Sequence, residues 1–372
     1  MTTFTIATFN VQNLIGPGQE FYRFEQYTEQ DYAHKEAWLA GQLARMNADI
    51  VGFQEIFEPE PLRQVIAAAD AQADTPSAYG DAALAFAPNI ADSGPGERRP
   101  GLAVLSRLGF AEDPQAIQLL DPPIDIPFHH LGGGDAGSYQ IQRLSRPILK
   151  VRIPVGDHIV TVFNAHLKSG YGEFVRPHGA RFSPEVDLLN YDAAGRAMGI
   201  LRASLRRMAE AWVLRKLVLD ELDQGRPVIV LGDFNDVPRS PTQEILTGEA
   251  PLPDYTRTRR HDAQDAADWH SPDQAAAIHE SVTQVRLHSA QDLFARQTGR
   301  DVVFTTAFDG VFTSLDAILL SRHFHPDWPG RIAQMSHLSA FNDHVAGARP
   351  PGEPGRTGAS DHGQLVAHMR LV

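Results

Sequence analysis

Nine polar side chains stand at or just beyond the ends of apolar stretches in this sequence, and their types suit metal binding and proton transfer. They are Asn10 after TFTIATF, Glu55 after DIVGFQ, His166 and Lys168 in FNAHLKS, Asp233 and Asn235 in VIVLGDFND, Asp316 in LDAILLS, and Asp361 and His362 in SDH. In strand-built folds, binding sites form at strand ends. Taken alone, Asn10 reads as a turn residue closing through its side chain. Glu55 resists that explanation, because a carboxylate at the edge of a buried strand needs a cation or hydrogen-bond donors. His166 and Lys168, two residues apart at a strand end, share a face, although a single such histidine is more often structural than catalytic. The segment around Asp233 is sharper: a fully apolar strand meets Gly232, which permits a tight turn, and then presents one group able to accept a proton and one able to hold a water or phosphate oxygen. A calcium loop is the plain alternative, but the periodic acidic ligands and closing Glu of such a loop are missing. A carboxylate bonded to one imidazole nitrogen fixes the tautomer and raises basicity at the other. Asp316 and His362 are candidates for such a pair, which leaves Asp361 free to join Glu55 around a metal.

The elements that must position these groups are legible as apolar patterns. Thr3 to Val11 is β-rich; Leu39, Leu43 and Met46 recur at helical spacing up to Asn47; Asp49 to Glu55 reads as a second buried strand, so the chain opens strand, helix, strand. Further strands are expected at Gly101 to Ser106, Ile148 to Ile153, Ile159 to Asn164, Val228 to Leu231 and Leu315 to Leu320. Met198, Leu201, Leu205, Met208, Trp212 and Leu219 predict one long helix packed through that face. Its other face carries Arg202, Arg206, Arg207 and Arg215, read as a solvated outer surface in preference to a nucleic-acid surface. Gly/Pro-rich tracts at Ala87 to Pro100, Asp121 to Ser138 and Gly347 to Gly358 predict long surface loops. Residues Gly16 to Lys35 either wall a substrate cleft or form a helical insertion packing Phe21, Phe24 and Tyr27 on the core. Arg257, Arg259 and Arg260 read as a solvated loop, and His129 and His130 before a run of glycines as a surface loop without a chemical role. No strong amphipathic or apolar hairpin of a bilayer-inserting kind is evident.

Bulk properties narrow the classes. A length of 372 residues lies within reach of one large unit, so the expectation is a single domain over residues 1–372 with long loop insertions. At 42% hydrophobic and 21% charged residues, the chain has material for a sizeable core and lacks the charge of a disordered one. Cysteine is absent, which excludes disulfides and thiolate metal sites and leaves oxygen or imidazole as ligands. The formal net charge of −13 disfavours long-range attraction to nucleic acid or anionic membrane without excluding a local basic patch. With no signal-peptide pattern at the amino terminus and no run near the ~20 apolar residues of a membrane span, the expectation is a soluble, cytoplasmic protein without stable membrane insertion; no protein partner is implied.

The ordered set TFNVQNL, DIVGFQEI, GLAVLSR, FNAHLKS, LGDFND, LDAILLS and SDH resembles the endonuclease/exonuclease/phosphatase family over nearly the whole chain. The resemblance implies an α/β fold, a four-layer α/β/β/α sandwich of two packed mixed β-sheets like that of deoxyribonuclease. It further implies a phosphoesterase dependent on Mg²⁺ or Mn²⁺, with Asn10, Glu55 and Asp361 at the metal. Asp233 would orient or deprotonate the attacking water, Asn235 would hold it and the phosphate, and His166 would contact the phosphate, with Lys168 and Asn10 at the substrate. The Asp316 and His362 pair would stabilise charge or transfer a proton. The histidine in NAHLKS resembles deoxyribonuclease, secreted-nuclease and sphingomyelinase branches more than abasic-site enzymes, which tend to carry a tyrosine motif there. The first expectation is therefore a nuclease or related phosphodiesterase acting on a phosphate-ester substrate, nucleic acid foremost. The alternative is a phosphomonoesterase or phospholipase on inositol phosphate or sphingolipid-type substrates. A non-catalytic binding protein is the third, and the intact residue set argues against it.

Overall fold

The computed structural model describes residues 2–21, 25–72, 79–89, 99–128, 137–173, 189, 192–265, 267–300, 303–308, 310–346 and 358–372. Along the chain the elements are β1 (Thr3–Leu14), α1 (Glu29–Met46), β2 (Ile50–Ile56), α2 (Pro59–Gln72), β3 (Ala83–Ala87), β4 (Gly101–Ser106), β5 (Gln115–Phe128), β6 (Gly137–Val155), β7 (His158–His166), α3 (Ala193–Leu222) and β8 (Val228–Asp233). There follow α4 (Pro241–Thr247), α5 (Pro272–Val285), β9 (Leu287–Ser289), α6 (Ala290–Thr298), β10 (Thr306–Phe308), β11 (Val311–Thr313), β12 (Asp316–Ser321), β13 (Ala333–Phe341), α7 (Asp343–Ala346) and β14 (Gln364–Leu371).

Two six-stranded sheets form the centre, ordered β13-β14-β1-β2-β4-β3 and β5-β6-β7-β8-β12-β9. Each is mixed, with β1 parallel to β2 in the first and β7 parallel to β8 in the second. The alternation of side chains along a strand sorts each sheet into an inner and an outer face. Inner residues of both sheets, among them Ile6, Ile50, Val104, Val151, Val162, Leu231 and Ile318, make one buried cluster. The outer face of the first sheet is covered by Leu39, Leu43, Leu62 and Val65 of α1 and α2, and that of the second by Leu214 and Val218 of α3 and Leu246 of α4. The architecture is thus the expected four-layer α/β/β/α sandwich. Within its core a polar clamp joins the sheets: Gln54 Nε2 donates to Asn164 Oδ1 at 2.7 Å, while Asn164 Nδ2 donates to the carbonyls of Phe53 and Ala103 at 2.9 Å each.

Three local expectations change. The long helix exists, but its buried face is Ala203, Arg207, Ala211, Leu214, Arg215 and Val218, whereas Leu201 and Trp212 are exposed. Two of the arginines assigned to solvent turn inward because they find partners: Arg207 Nε lies 3.2 Å from Asp236 Oδ2, and Arg215 Nη1 donates to the Leu246 carbonyl at 3.2 Å. The tract 121–138 is strand over much of its length, since β5 and β6 form a long hairpin with pairs such as Ile124 and Ile141. Its prolines are tolerated because β5 is an edge strand whose register slips between Leu119 and Ile124. Of Gly16 to Lys35, only Glu29 onward is helical among the described residues, as the start of α1; before it Ile15 and Phe21 pack on Phe57, with Tyr27 against them. Phe24, His129, His130, the glycine run after them and most of the tracts 87–100 and 347–358 lie outside the described residues. No helix among the described residues is long and apolar enough to cross a membrane.

At the sheet end away from the candidate site, Glu221 of α3 ties together β6, β7 and the loop that leads into β8. It accepts from Lys150 Nζ at 2.7 Å, Thr161 Oγ1 at 2.9 Å, Arg226 Nη1 at 3.1 Å and Arg152 Nη2 at 3.2 Å. Burial pushes its carboxyl up, but these donors outweigh burial and hold it at about 2, below its ordinary 4.5. A carboxylate depressed in the folded state stabilises above its unfolded pKa and loses that contribution as the pH falls through the folded value. Its contribution, on the order of 3 kcal/mol, should therefore be complete at pH 6 and vanish between about pH 4.5 and 2. Glu221→Gln is expected to lower stability by about 2–3 kcal/mol in urea unfolding at pH 7 and to flatten the acid limb; an unchanged acid limb would assign that limb to other carboxylates.

Candidate active site

Strand register assembles the site. His166 closes β7, Asp233 closes β8 and Asp316 opens β12, and the ladders place His166 opposite Asp233 and Asp233 opposite Asp316. Three chemically active side chains from distant sequence therefore stand side by side on one sheet edge. Asn10 approaches from β1 of the other sheet, with Nδ2 donating to Asp233 Oδ2 at 3.0 Å and to Glu55 Oε1 at 3.3 Å. Its Oδ1 accepts from the Gln12 amide at 3.0 Å. Glu55 is the penultimate residue of β2, with φ of 67°, at a register break in both flanking ladders, and its Oε2 accepts from the Asn13 amide at 2.9 Å. Gln12, Asn13 and Asn235 also adopt positive φ, between 51° and 58°. Such left-handed backbone is uncommon outside glycine and clusters at functional sites.

The SDH segment docks onto this edge through Ser360, whose Oγ donates to the Asn10 carbonyl at 2.7 Å and accepts from the His362 amide at 3.1 Å. His362 Nδ1 then lies 2.8 Å from Asp316 Oδ2, and its Nε2 lies 3.8 Å from Asp233 Oδ2. His166 Nε2 approaches the same Asp233 oxygen at 3.3 Å. Asp233 Oδ1 accepts from the Asn235 amide at 2.8 Å, and Asn235 Nδ2 donates to the Leu167 carbonyl at 3.0 Å. Asp361 is the outermost member, its side chain 54% exposed and its Oδ1 at 4.0 Å from His362 Nε2.

Burial and mutual charge set the protonation pattern. Burial pushes Asp233 up to about 7; the neighbouring His362 opposes this and Asp316 adds to it. Burial alone pulls His362 down, but Asp316 and Asp233 outweigh it and carry the imidazole well above its usual value. His166 moves well below, first by burial and then by the positive charges of Arg146 and His362. The site thus holds one neutral imidazole and one imidazolium either side of a carboxyl that binds its proton close to neutrality. Asp316 Oδ1 and His166 Nδ1 are buried without a protein partner among the described residues.

Lys168 stays apart from this cluster. It lies beyond the end of β7, where its ammonium donates to the Ser169 carbonyl at 3.1 Å and the Tyr171 carbonyl at 2.8 Å. Burial and Arg146 lower it to about 8. The cation nearer the chemistry is Arg146, which sequence reasoning missed because one arginine inside β6 carries no motif. Its Nη1 donates to the Leu167 carbonyl at 3.1 Å, the same oxygen that Asn235 uses. Among the described residues no carboxylate pairs with it, and its Nε is buried without a partner.

The donor set suits a hard divalent cation. Glu55 offers a half-buried carboxylate and Asp361 an exposed one. The charges of both act on the same two neighbours, Tyr27 and Lys35. Such oxygens are Mg²⁺ or Mn²⁺ ligands in kind. Asp233, Asp316 and His362 also bring three ligand atoms within 4.8 Å of one another. There the short contact between His362 Nδ1 and Asp316 Oδ2 already engages two of them, which favours a proton-bearing pair over a second ion.

A hairpin that the sequence did not reveal stands beside the site. β10 and β11 expose Phe308 at 77%, Val311 at 63% and Phe312 at 52%. Thr305 at its base accepts from the Leu315 and Asp316 amides through Oγ1, at 3.1 and 3.2 Å. Its strands of three residues are too short to register as periodicity.

A family model described as the Endonuclease/Exonuclease/phosphatase family matches residues 7–362. The human Nocturnin catalytic domain with bound sulfate anion aligns with TM-score 0.51 at 12% identity, over 100% of this chain and 94% of that one. Truncated Caenorhabditis elegans TDP2 gives 0.48 at 13% identity, over 99% and 98%. A functionally unknown conserved protein from Enterococcus faecalis V583 gives 0.49 at 14% identity, over 99% and 100%. No curated protein matches the sequence. At such identities the likeness to solved structures is one of fold.

Proposed function

Because the chain belongs to the endonuclease/exonuclease/phosphatase family, we propose that it is a divalent-metal-dependent phosphodiesterase, with nucleic acid as the first substrate class. The observation that carries this reading is the lateral row of His166, Asp233 and Asp316, completed by His362 at 2.8 Å from Asp316. Phosphoester hydrolysis needs the charge on the phosphoryl oxygens neutralised and a water aligned opposite the leaving group. Glu55 and Asp361, with Asn10 beside them, hold the Mg²⁺ or Mn²⁺, which when bound supplies positive charge to the phosphate. Asp233 orients the attacking water and takes its proton; Asn10 and the Asn235 amide fix the carboxylate's direction. His362, held by Asp316, presents Nε2–H toward the phosphoryl oxygens, and His166 and Asn235 complete the phosphate contacts. Arg146, which pairs with no carboxylate among the described residues, adds a guanidinium on the Leu167 side of the cleft. Localisation in the cytoplasm and a single domain remain part of this proposal.

The test is hydrolysis of plasmid DNA, single-stranded DNA, RNA, bis(p-nitrophenyl) phosphate and p-nitrophenyl phosphate with Mg²⁺, Mn²⁺ or EDTA. Diester cleavage abolished by EDTA supports the proposal; turnover of the monoester alone, or none, overturns it. Arg146→Ala is expected to lower kcat/KM on the aryl diester about tenfold or more, chiefly through KM, with an unchanged melting temperature. Equal kcat/KM in the variant would take Arg146 out of the substrate cleft.

The second reading, a phosphomonoesterase or phospholipase on inositol phosphate or sphingolipid-type substrates, has the β10–β11 hairpin in its favour. Exposed Phe308, Val311 and Phe312 beside a phosphoesterase site suit an apolar substrate surface. Flotation with phosphatidylcholine and sphingomyelin vesicles, with and without Phe308→Ser, separates the two readings: hairpin-dependent flotation together with lipid cleavage selects the second.

A further inference from the structure

Helix α1 places a lysine where burial is costly. Lys35 is 1% exposed and sits among the largest fully buried side chains, although an ammonium without acceptors loses its hydration uncompensated. Among the described residues no hydrogen bond or ion pair satisfies its Nζ, which lies 5.6 Å from the centre of the Tyr27 ring. Tyr27 leads from there to the site: its hydroxyl donates to the Gln12 carbonyl at 3.4 Å, the Gln12 amide binds Asn10 Oδ1 at 3.0 Å, and the next amide, of Asn13, binds Glu55 Oε2 at 2.9 Å. A short chain of contacts thus links the lysine, through Tyr27, to the turn that clamps Glu55. Burial lowers it to about 8, and the carboxylates of Glu55 and Asp361 act in the opposite sense, which keeps it a cation at neutral pH. A residue needed only to pack α1 against the sheet would be apolar, as Leu39 and Leu43 are.

We propose that Lys35 is the resident counter-charge of the metal pocket: it holds Glu55 and Asp361 together while no metal is bound, and it weakens metal binding by repelling the incoming divalent ion. Two carboxylates at one pocket repel each other, and a fixed cation behind them offsets that repulsion without occupying the pocket. The same cation opposes a second positive charge, so occupancy follows the free metal concentration in place of permanent retention. Lys35 is thus a positioning residue and touches no substrate. The inference rests on the reading that Glu55 and Asp361 hold the metal.

The experiment is calorimetric titration of the full chain with Mn²⁺ at pH 7, alongside melting temperatures with and without saturating Mn²⁺. Lys35→Met removes a charge that burial disfavours on balance, so it is expected to melt no lower than wild type without metal and to bind Mn²⁺ about tenfold tighter than wild type. Lys35→Arg, which keeps the charge, is expected to bind as wild type does. A Lys35→Met protein that binds Mn²⁺ with unchanged or weaker affinity overturns the proposal and leaves a purely structural lysine. If Lys35→Met does not fold, Lys35→Gln is read by the same criterion. A wild type that binds no Mn²⁺ would instead defeat the metal assignment of Glu55 and Asp361.

Discussion

Asp233→Asn is expected to lower phosphodiester turnover by at least ~10²-fold, the scale of losing an acid–base group, and to leave the fold intact. Asp233 meets four other members of the cluster: it accepts from Asn10 and from the Asn235 amide, and both His166 and His362 point a ring nitrogen at its Oδ2. The variant keeps the shape and removes the proton-accepting charge. Stability should move the other way. Burial raises this carboxyl to about 7 from an ordinary 3.8, so its ionised form destabilises the metal-free fold increasingly as the pH rises from about 4 to 7. Metal-free Asp233→Asn is therefore expected to melt above the wild type at pH 8, the trade of stability for activity that functional sites make. Near-normal turnover at saturating Mn²⁺ would remove Asp233 from the proposed role; a lower melting temperature would show that its hydrogen bonds outweigh its buried charge.

Gly232→Ala is expected to cost roughly 4 kcal/mol or more of stability and to abolish activity with it. Gly232 has φ of 141°, outside the range L side chains adopt, and a Cβ there would stand 1.8 Å from the Ala165 carbonyl oxygen. That oxygen is backbone of the adjacent parallel strand β7, so relief requires the two strands to part. They carry His166 and Asp233 one residue further on, and parting them separates the pair. Urea unfolding of the variant reads the first effect and aryl-diester turnover the second; a midpoint within error of wild type would mean that the β7–β8 spacing yields at little cost.

The strands that end in Asp233 and Glu55 were legible because each is an unbroken apolar run terminated by a group that cannot be buried alone. What the runs could not give is register. That Asp233 stands between His166 and Asp316 follows from a parallel ladder on one side and an antiparallel ladder on the other, and neither is written in any one segment. Helix α3 shows the limit of periodicity: over 30 residues several apolar stripes fit, and the choice was settled by arginines whose partners, Asp236 and Leu246, come from later in the chain. Arg146 was silent for a related reason, since its meaning comes from having no carboxylate partner among the described residues. The direction of Lys168 was not legible because β7 ends at His166, so alternation along the strand no longer governs where its ammonium points.

The first strand and the last are neighbours. β14 lies between β13 and β1, with Thr3 opposite Arg370, and the loop leading into it delivers Asp361 and His362 to Asn10 on β1. During synthesis, residues 1–340 can leave the ribosome without forming a competent centre, because the imidazolium arrives together with the strand that closes the sheet. Clipping that removes this strand would take away the anchor of the loop that carries His362 and bare β1 as an adhesive edge in the same event.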